Sequence, residues 1–344
     1  MKMKKVTLPS VGLEISALTI GCWSFGGGSG DYWGAQEQRD VDALVQEALD
    51  MGVNTFDTAT GYNGGQSEVS LGKALGSRRS EAVIGDKLRI IPREELSGCE
   101  KKVTDALKRL VTDYIDLLSI HWPTPDDDLL KMNLEELEKL RERGLIRHIG
   151  VSNFGPHNME TAFSTGIPIA SNQMAYNLIC RAVEEKLIPQ CLERGVLIAT
   201  YMPLMQGILA GKYSSIDEIP LLRRRSWHFR NDAEYVSSHG ELVTVHPGCE
   251  DELEKLFAEL RRLSAQTGLP VATLTLGWLI HQKGVGTTIV GCRNPEQLRR
   301  NAEAVMTDIP ADVLSAVTAA SETIKTLMHG ELDIWHPGDI RRII

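Results

Sequence analysis

The stretch NTFDTATGYNGGQSE, Asn54 to Glu68, contains the unit from which the fold is read. It opens with a short apolar run, NTFDTA, that reaches a carboxylate at Asp57. A Gly-rich loop carrying Tyr62 follows, and Ser67 and Glu68 begin a segment of helical periodicity that reaches Leu75. A strand, a loop of turn residues and an amphipathic helix in that order make a βα unit. The same order recurs along the chain. Eight runs read as strands: ALTIGCW (17–23), NTFDTA (54–59), AVIGDK (82–87), YIDLLSIH (114–121), RHIGVSN (147–153), IASNQM (169–174), VLIATYM (196–202) and GTTIVG (286–291). Helical patterns alternate with them at Asp40–Met51, Ser67–Leu75, Glu100–Leu110, Met132–Arg143 and Glu184–Gly195. Three more follow at Asp251–Gly268, Val271–Gln282 and Pro295–Val305. Leu134, Leu137 and Leu140 show the spacing of a helix face, and Gly144, Gly195 and Gly268 stand where a left-handed cap is wanted.

Such alternation implies parallel strands joined by right-handed crossovers. Eight of them favour an α/β fold of the closed (β/α)8 TIM-barrel kind over a doubly wound sheet. No GxGxxG follows the first run, and GGGSG at Gly26–Gly30 reads as a loop. A chain of 344 residues suits a single barrel domain over 1–344. Three additions are expected. KKVTLPSVGLEIS before the first barrel strand reads as a hairpin, with Gly12 in its turn, able to plug the barrel bottom. A long insertion after strand 7, from Lys212 to Asp251, carries RRRSWHFRN; Arg223, Arg224 and Arg225 read as a solvated face rather than an anion site. Trp227, His228 and Phe229, with a C-terminal tail near Trp335, are expected over the barrel mouth.

The net charge of −9 argues against nonspecific nucleic-acid or membrane partners. No apolar run reaches the roughly 18 residues of a membrane span, and MKMKKVTLPS lacks the apolar core of a signal peptide, so a cytoplasmic location is expected. The six cysteines show no CxxC spacing and read as free thiols, with no metal site. Nothing in the sequence speaks to a homo-oligomer.

In this barrel class all strand C-termini face one rim, and that rim carries the chemistry. The second run carries Asp57, the third ends in Lys87 and the fourth in His121, with Tyr62 on the loop above the second. One such residue is ordinary turn chemistry; four on neighbouring strands form a unit. A phenol is a weak acid near pH 7, with an ordinary pKa of about 10. A buried ammonium beside it is expected to lower that value, while Asp57 keeps Lys87 charged and His121 orients a substrate oxygen. The set suits proton exchange with an oxygen.

FDTATGYNGGQSE, the Lys87 strand and DYIDLLSIHWP combine with IRHIGVSNF (146–154), YMPLMQGILAGKY (201–213) and TIVGCRNPEQLRRN (288–301). In that order, over roughly residues 5 to 320, they resemble the aldo-keto reductase family. The resemblance implies hydride transfer between a nicotinamide and a carbonyl or alcohol on a small aldehyde, ketone or sugar-derived substrate. It implies Tyr62 as general acid and base, Lys87 and Asp57 as its tuning pair and His121 as the orienting imidazole. Ser152, Asn153 and Gln173 would hold the carboxamide, and Tyr201 would stack on the ring. Gly21 joins the coenzyme set; the backbone around Pro203, Leu204, Gly207 and Leu209 would carry the pyrophosphate. Gly291, Arg293, Gln297 and Asn301 would hold the adenosine end, and Trp23 and Trp122 would shape the substrate pocket. Both tryptophans and Tyr201 also suit core packing.

Departures matter as well. Gly291 and Gln297 stand where many members carry the lysine and arginine that grip a 2′-phosphate, whereas Arg293 is retained. NADP(H) is therefore favoured and NAD(H) kept open. Arg300 stands where many members have an acidic residue, and Asp86, before the lysine, is expected to point outward by strand alternation. Two other readings keep the fold: an NAD-dependent sugar or polyol dehydrogenase, and a weakly catalytic, cofactor-sensing regulatory subunit.

Overall fold

A hairpin comes first, as expected: β1 (Lys5–Leu8) and β2 (Leu13–Ser16) pair antiparallel around Gly12, whose φ is +70°. The computed structural model describes residues 2–27, 34, 36–230, 247–334 and 343, with backbone alone for 235–236 and 242–243. Leu8 and Ile15 of the hairpin are buried against Val83 and Ala170, with Leu117 and Leu197 beside them. Those four lie at or near the starts of barrel strands, so the hairpin closes the N-terminal end.

The barrel strands are β3 (Leu18–Gly21), β4 (Thr55–Asp57), β5 (Val83–Leu88), β6 (Ile115–Ile120), β7 (Ile146–Ser152), β8 (Ile169–Ala175) and β9 (Leu197–Tyr201). After a short antiparallel pair, β10 (Tyr235–Val236) and β11 (Leu242–Val243), comes β12 (Val285–Gly291), which pairs with both β9 and β3 and closes the ring. All neighbours in the ring are parallel. Their near-continuous burial is what strands covered on both faces require.

Helices wrap the ring: α1 (Gln38–Asp50), α2 (Gln66–Leu75), α3 (Cys99–Leu110), α4 (Asp127–Glu142), α5 (Pro156–Ser164), α6 (Leu187–Glu193), α7 (Glu250–Thr267), α8 (Val271–Ile280), α9 (Pro295–Met306), α10 (Ala311–Ala320) and α11 (Glu322–Leu327). In α4 the stripe Leu130, Leu134, Leu137, Leu140 is buried. This helix starts five residues before the expected Met132 because Asp126 caps it, accepting the Leu129 N–H at 2.9 Å. Gly144, Gly195 and Gly268 all have φ near +70° or above, as the helix stops require. Helices α5, α10 and α11 were not expected: α5 is nine residues long, and the last two lie beyond the final strand.

No single helix among the described residues is long and apolar enough to cross a membrane. All six cysteines are free and buried. In the insertion His228 and Phe229 are buried, so they pack rather than form an open cover. Arg224 donates to the carbonyls of Ile219 (2.7 Å) and Asp217 (3.0 Å), and Arg223 donates to that of Gln206. The expected solvated face is thus partly spent on loop carbonyls. The expected tail near Trp335, Gly28–Gly30, and residues 231–234, 237–241 and 244–246 of the insertion lie outside the described residues.

Candidate active site

Register sets several of the strand ends beside one another. Gly21 lies opposite both Asp57 and Gly291, Lys87 opposite Ser119, Ser152 opposite Gln173, and Ala175 opposite Tyr201. Side-chain hydrogen bonds join the remaining strand ends: Lys87 and Gln173 each donate to Asp57, and Asn153 donates to the His121 carbonyl.

Its centre is an ion pair. Lys87 Nζ donates to Asp57 Oδ1 at 2.8 Å, to Oδ2 at 2.9 Å and to the Thr58 carbonyl at 2.6 Å. Lys87 is 1% exposed and Asp57 8%. An ammonium this deep needs all three of its donors satisfied, and they are. Burial by itself would lower the lysine pKa, but Asp57 outweighs it by charge and hydrogen bond and the net shift is upward. Gln173 Nε2 donates to Asp57 Oδ1 at 2.7 Å and fixes the carboxylate from the far side of the ring.

Tyr62 sits on a short turn, Tyr62–Gly65, that leads into α2. Lys87 Nζ stands 5.0 Å from the centre of its ring. The His121 ring meets it edge-on at 5.8 Å, and Trp23 stacks on it at 6.0 Å. Here the structure corrects one expectation: the phenol pKa is raised above its ordinary 10, not lowered. Burial of the phenolate raises it most; Lys87 pulls it down by charge and hydrogen bond, and Asp57 pushes it up again. Desolvation outweighs the ammonium, because that ammonium is already neutralised by Asp57. The phenol is consequently held in its proton-donating form.

His121 follows the last residue of β6, and its pKa is pushed down to about 3 by burial and by the charges of Lys87 and Arg89. It is a neutral imidazole, a hydrogen-bonding group and not a proton reservoir. NMR of the imidazole should show no titration between about pH 5 and about pH 8. The folded value lies below the unfolded 6.5, so this group costs stability as pH falls from 6.5 towards 3. A histidine titrating near its ordinary value would show that the pocket is wetter than its burial implies.

Next along the rim, Asn153 adopts φ +63° and ties three elements together. Its Nδ2 donates to the His121 carbonyl at 3.0 Å and to Ser152 Oγ at 3.1 Å, while its Oδ1 accepts the Tyr201 hydroxyl at 2.8 Å. Ser152 Oγ donates to the Gln173 carbonyl at 3.1 Å. Ser152, Asn153, Gln173 and Tyr201 are thus one network. Past Tyr201 the chain turns sharply, with Met202, Met205, Gln206 and Gly207 at φ +53°, +44°, +57° and +91°. Non-glycine residues held in such conformations cost about 1–3 kcal/mol each and cluster at ligand sites. Asn177 Nδ2 holds this turn through the Met202 carbonyl at 2.9 Å. Pro203, Leu204, Gly207 and Leu209 all lie on it, with Leu204 accepting from Gly207 and Leu209.

At the end of β12, Gly291 is exposed and Arg293 half-buried. The α9 N-terminus is closed by side chains. Asn294 caps it by accepting the Gln297 N–H, and the Gln297 side chain turns back to accept the Arg293 N–H, both at 2.9 Å. Asn301 donates to Cys292 Sγ at 3.2 Å. Gln297 and Asn301 therefore brace the loop that presents Arg293. Trp23 is 41% exposed and Trp122 half-buried, which removes plain core packing as the account of Trp23.

Sequence reasoning missed three bracing residues. Asn63 Nδ2 donates to the carbonyls of Trp23, Phe25 and Gly27 at 3.0, 2.7 and 3.1 Å, stitching the first loop to the Tyr62 turn. Gln36, buried, donates to the Arg293 carbonyl at 3.2 Å, and Asn177 is described above. Each is an amide in a loop, where spacing carries no signal. Gly26 proved to be more than a flexible link: a Cβ there would lie 2.5 Å from the Gln66 backbone. Asp86, expected to point outward, interacts with Glu68 of α2 and is fully buried.

The profile of the Aldo/keto reductase family matches residues 17–322. The chain is 30% identical over 314 residues to aldo-keto reductase YhdN of Bacillus subtilis, covering 88% of each. It is 28% identical to an NADH-specific methylglyoxal reductase of Escherichia coli, covering 93% of this chain and all of that one. An aldo-keto reductase from Bacillus halodurans in its holo form superposes with a TM-score of 0.71 at 26% identity, over 94% of this chain and 96% of that one.

Proposed function

The chain belongs to the aldo-keto reductase family, an NAD(P)H-dependent oxidoreductase, and from that premise we propose that it acts on small aldehydes, ketones or sugar-derived carbonyls, with Tyr62 as general acid and base. The observation that carries this reading is the Asp57–Lys87 pair beneath a phenol kept protonated. We take residues 1–344 as one domain serving that site.

The rim residues suit a dinucleotide. Ser152, Asn153 and Gln173 offer the hydroxyl and amide groups a carboxamide pairs with, and Tyr201 offers a ring face whose hydroxyl is already anchored to Asn153. The turn after Tyr201 holds several residues at positive φ, as anion-binding turns do, although the Gly207 and Leu209 N–H groups already bond to the Leu204 carbonyl. Gly21 and Gly291 leave side-chain-free positions facing each other at the rim. When bound, a reduced nicotinamide supplies hydride to the carbonyl carbon. The chain supplies the rest. His121, neutral, hydrogen-bonds the substrate oxygen and sets its position. Tyr62 gives its hydroxyl proton to that oxygen as charge develops there. Lys87 stabilises the phenolate left behind, and Asp57 and Gln173 hold Lys87 in place. Trp23 and Trp122 would line the approach.

A phenol whose pKa is raised stays protonated at neutral pH, which is the form that carbonyl reduction requires. NADP(H) is the favoured coenzyme, on Arg293; the absence of cations at Gly291 and Gln297 and the NADH-specific relative keep NAD(H) as the alternative. Arg293→Ala should raise the KM for NADPH about tenfold and that for NADH less than about twofold, the difference of one charge-assisted contact. Equal effects on both would mean that Arg293 does not read a 2′-phosphate.

The direct test is loss of reduced-coenzyme absorbance, with NADPH and NADH separately, against a reactive aromatic aldehyde. Turnover with either supports the reading. Tight coenzyme binding without turnover on a panel of carbonyls would favour the regulatory alternative. Faster alcohol oxidation with NAD than carbonyl reduction would favour the dehydrogenase.

A further inference from the structure

Behind Lys87 lies a buried set of charges that hydride transfer does not use. Asp86 precedes the lysine on β5 and, by strand alternation, faces the helix layer. It is 0% exposed. Its Oδ1 accepts the Lys87 backbone N–H at 2.8 Å, and its Oδ2 is buried with no hydrogen-bond donor. The neighbour on that side is Glu68 of α2, also 0% exposed. Glu68 is gripped by Arg109 of α3, Nε to Oε2 at 2.7 Å and Nη2 to Oε1 at 3.1 Å. The Arg109 stem in turn supports the Tyr62 turn: a Cβ on Gly65, whose φ is +87°, would lie 2.8 Å from Arg109 Cδ.

Two facing carboxylates are acceptors only, so neither can satisfy the other. Fully ionised, Asp86, Glu68 and Arg109 would leave one uncompensated buried negative charge and one orphaned oxygen. A single proton removes both defects. We propose that Asp86 and Glu68 share one proton, Asp86 donating to Glu68, and that this acid–carboxylate pair with Arg109 is the positioning element that holds the Lys87 strand against the Tyr62 turn. The groups facing the pair are Arg109, with Asp105 beyond it, and Lys87. Burial and mutual repulsion push the Asp86 pKa well above its ordinary 3.8, and that of Glu68 also rises. Asp86 touches neither substrate nor coenzyme in this account. It fixes the separation between phenol and ammonium from behind, and its neutrality leaves the Lys87 charge to Asp57 and Tyr62. The functional half of the inference rests on the proposed role of that pair; the shared proton does not.

Infrared difference spectroscopy of the intact protein tests the proton without any assay of activity. At neutral pH the wild-type chain should show a protonated-carboxyl band that is lost in both Asp86→Asn and Glu68→Gln. No such band, or one that survives both substitutions, would overturn the proposal. Stability gives a second readout. The folded chain holds one proton more than the unfolded chain as pH rises above 3.8, so stability should fall across that window, and Asp86→Asn should flatten the slope. The positioning role is tested by rescue. Asp86→Ala should lower kcat on the order of tenfold and shift its alkaline limb, whereas the Asn amide, able to donate and accept like the acid, should restore both. An Asn variant as impaired as the Ala variant would mean that the carboxyl acts as a charge, not as a proton-sharing strut.

Discussion

Replacing Tyr62 with Phe is expected to lower kcat by about 10³-fold, within the range a general acid contributes, while coenzyme affinity stays within about a factor of two. The substitution removes one oxygen and keeps the ring, and the ring is what Trp23 stacks on and what His121 and Lys87 face. The pocket should therefore keep its shape. His121 cannot substitute as donor, since a group with a pKa of about 3 holds no extra proton at pH 7. Coenzyme titration by fluorescence and single-turnover measurement separate binding from chemistry. Full activity in the Phe variant would show that the proton comes from elsewhere. A parallel loss of coenzyme binding would show that the turn Tyr62–Gly65 had moved. The same assignment fixes a pH profile: carbonyl reduction should hold level through neutrality and fall only above pH 10, because the phenol must stay protonated and its pKa lies above that value.

The barrel was legible because its information is repetitive and local. Each strand is a short apolar run covered on both faces, each helix carries one apolar stripe, and glycines with left-handed φ mark the stops. The gathering of Asp57, Lys87, His121, Ser152, Gln173 and Tyr201 follows from that topology, since strand order alone sends all C-terminal ends to one rim. What the sequence did not carry is set by balance rather than pattern. The direction of the Tyr62 pKa depends on whether desolvation or the Lys87 charge is larger, and no spacing encodes it. Asp86 was legible as outward-facing, yet its burial depends on how α2 and α3 pack over β5. The bracing amides Gln36, Asn63 and Asn177 act on backbone carbonyls far along the chain, and such contacts leave no periodic trace. Helices α10 and α11 escaped because no ninth strand follows to frame them.

Lys87→Met should cost both turnover and stability, and the two losses have separable origins. Met fills the volume but leaves Asp57 as a buried carboxylate with Gln173 as its remaining side-chain donor among the described residues. Breaking a buried ion pair by removing one partner typically costs about 3–5 kcal/mol, because the remaining charge is uncompensated. Chemical denaturation should show a loss of that order. Turnover should fall on the order of 10²-fold or more, since the phenolate formed at Tyr62 loses its counter-charge. The double variant Asp57→Asn with Lys87→Met then distinguishes the two roles. With no charge left to strand, it should recover much of the stability, the signature of a coupled pair. It should recover none of the activity, because nothing cationic faces the phenol. Recovery of activity in the double variant would mean that Lys87 serves only to neutralise Asp57. A Lys87→Met chain as stable as the wild type would mean that water reaches Asp57 and that the pair is less sealed than its burial requires.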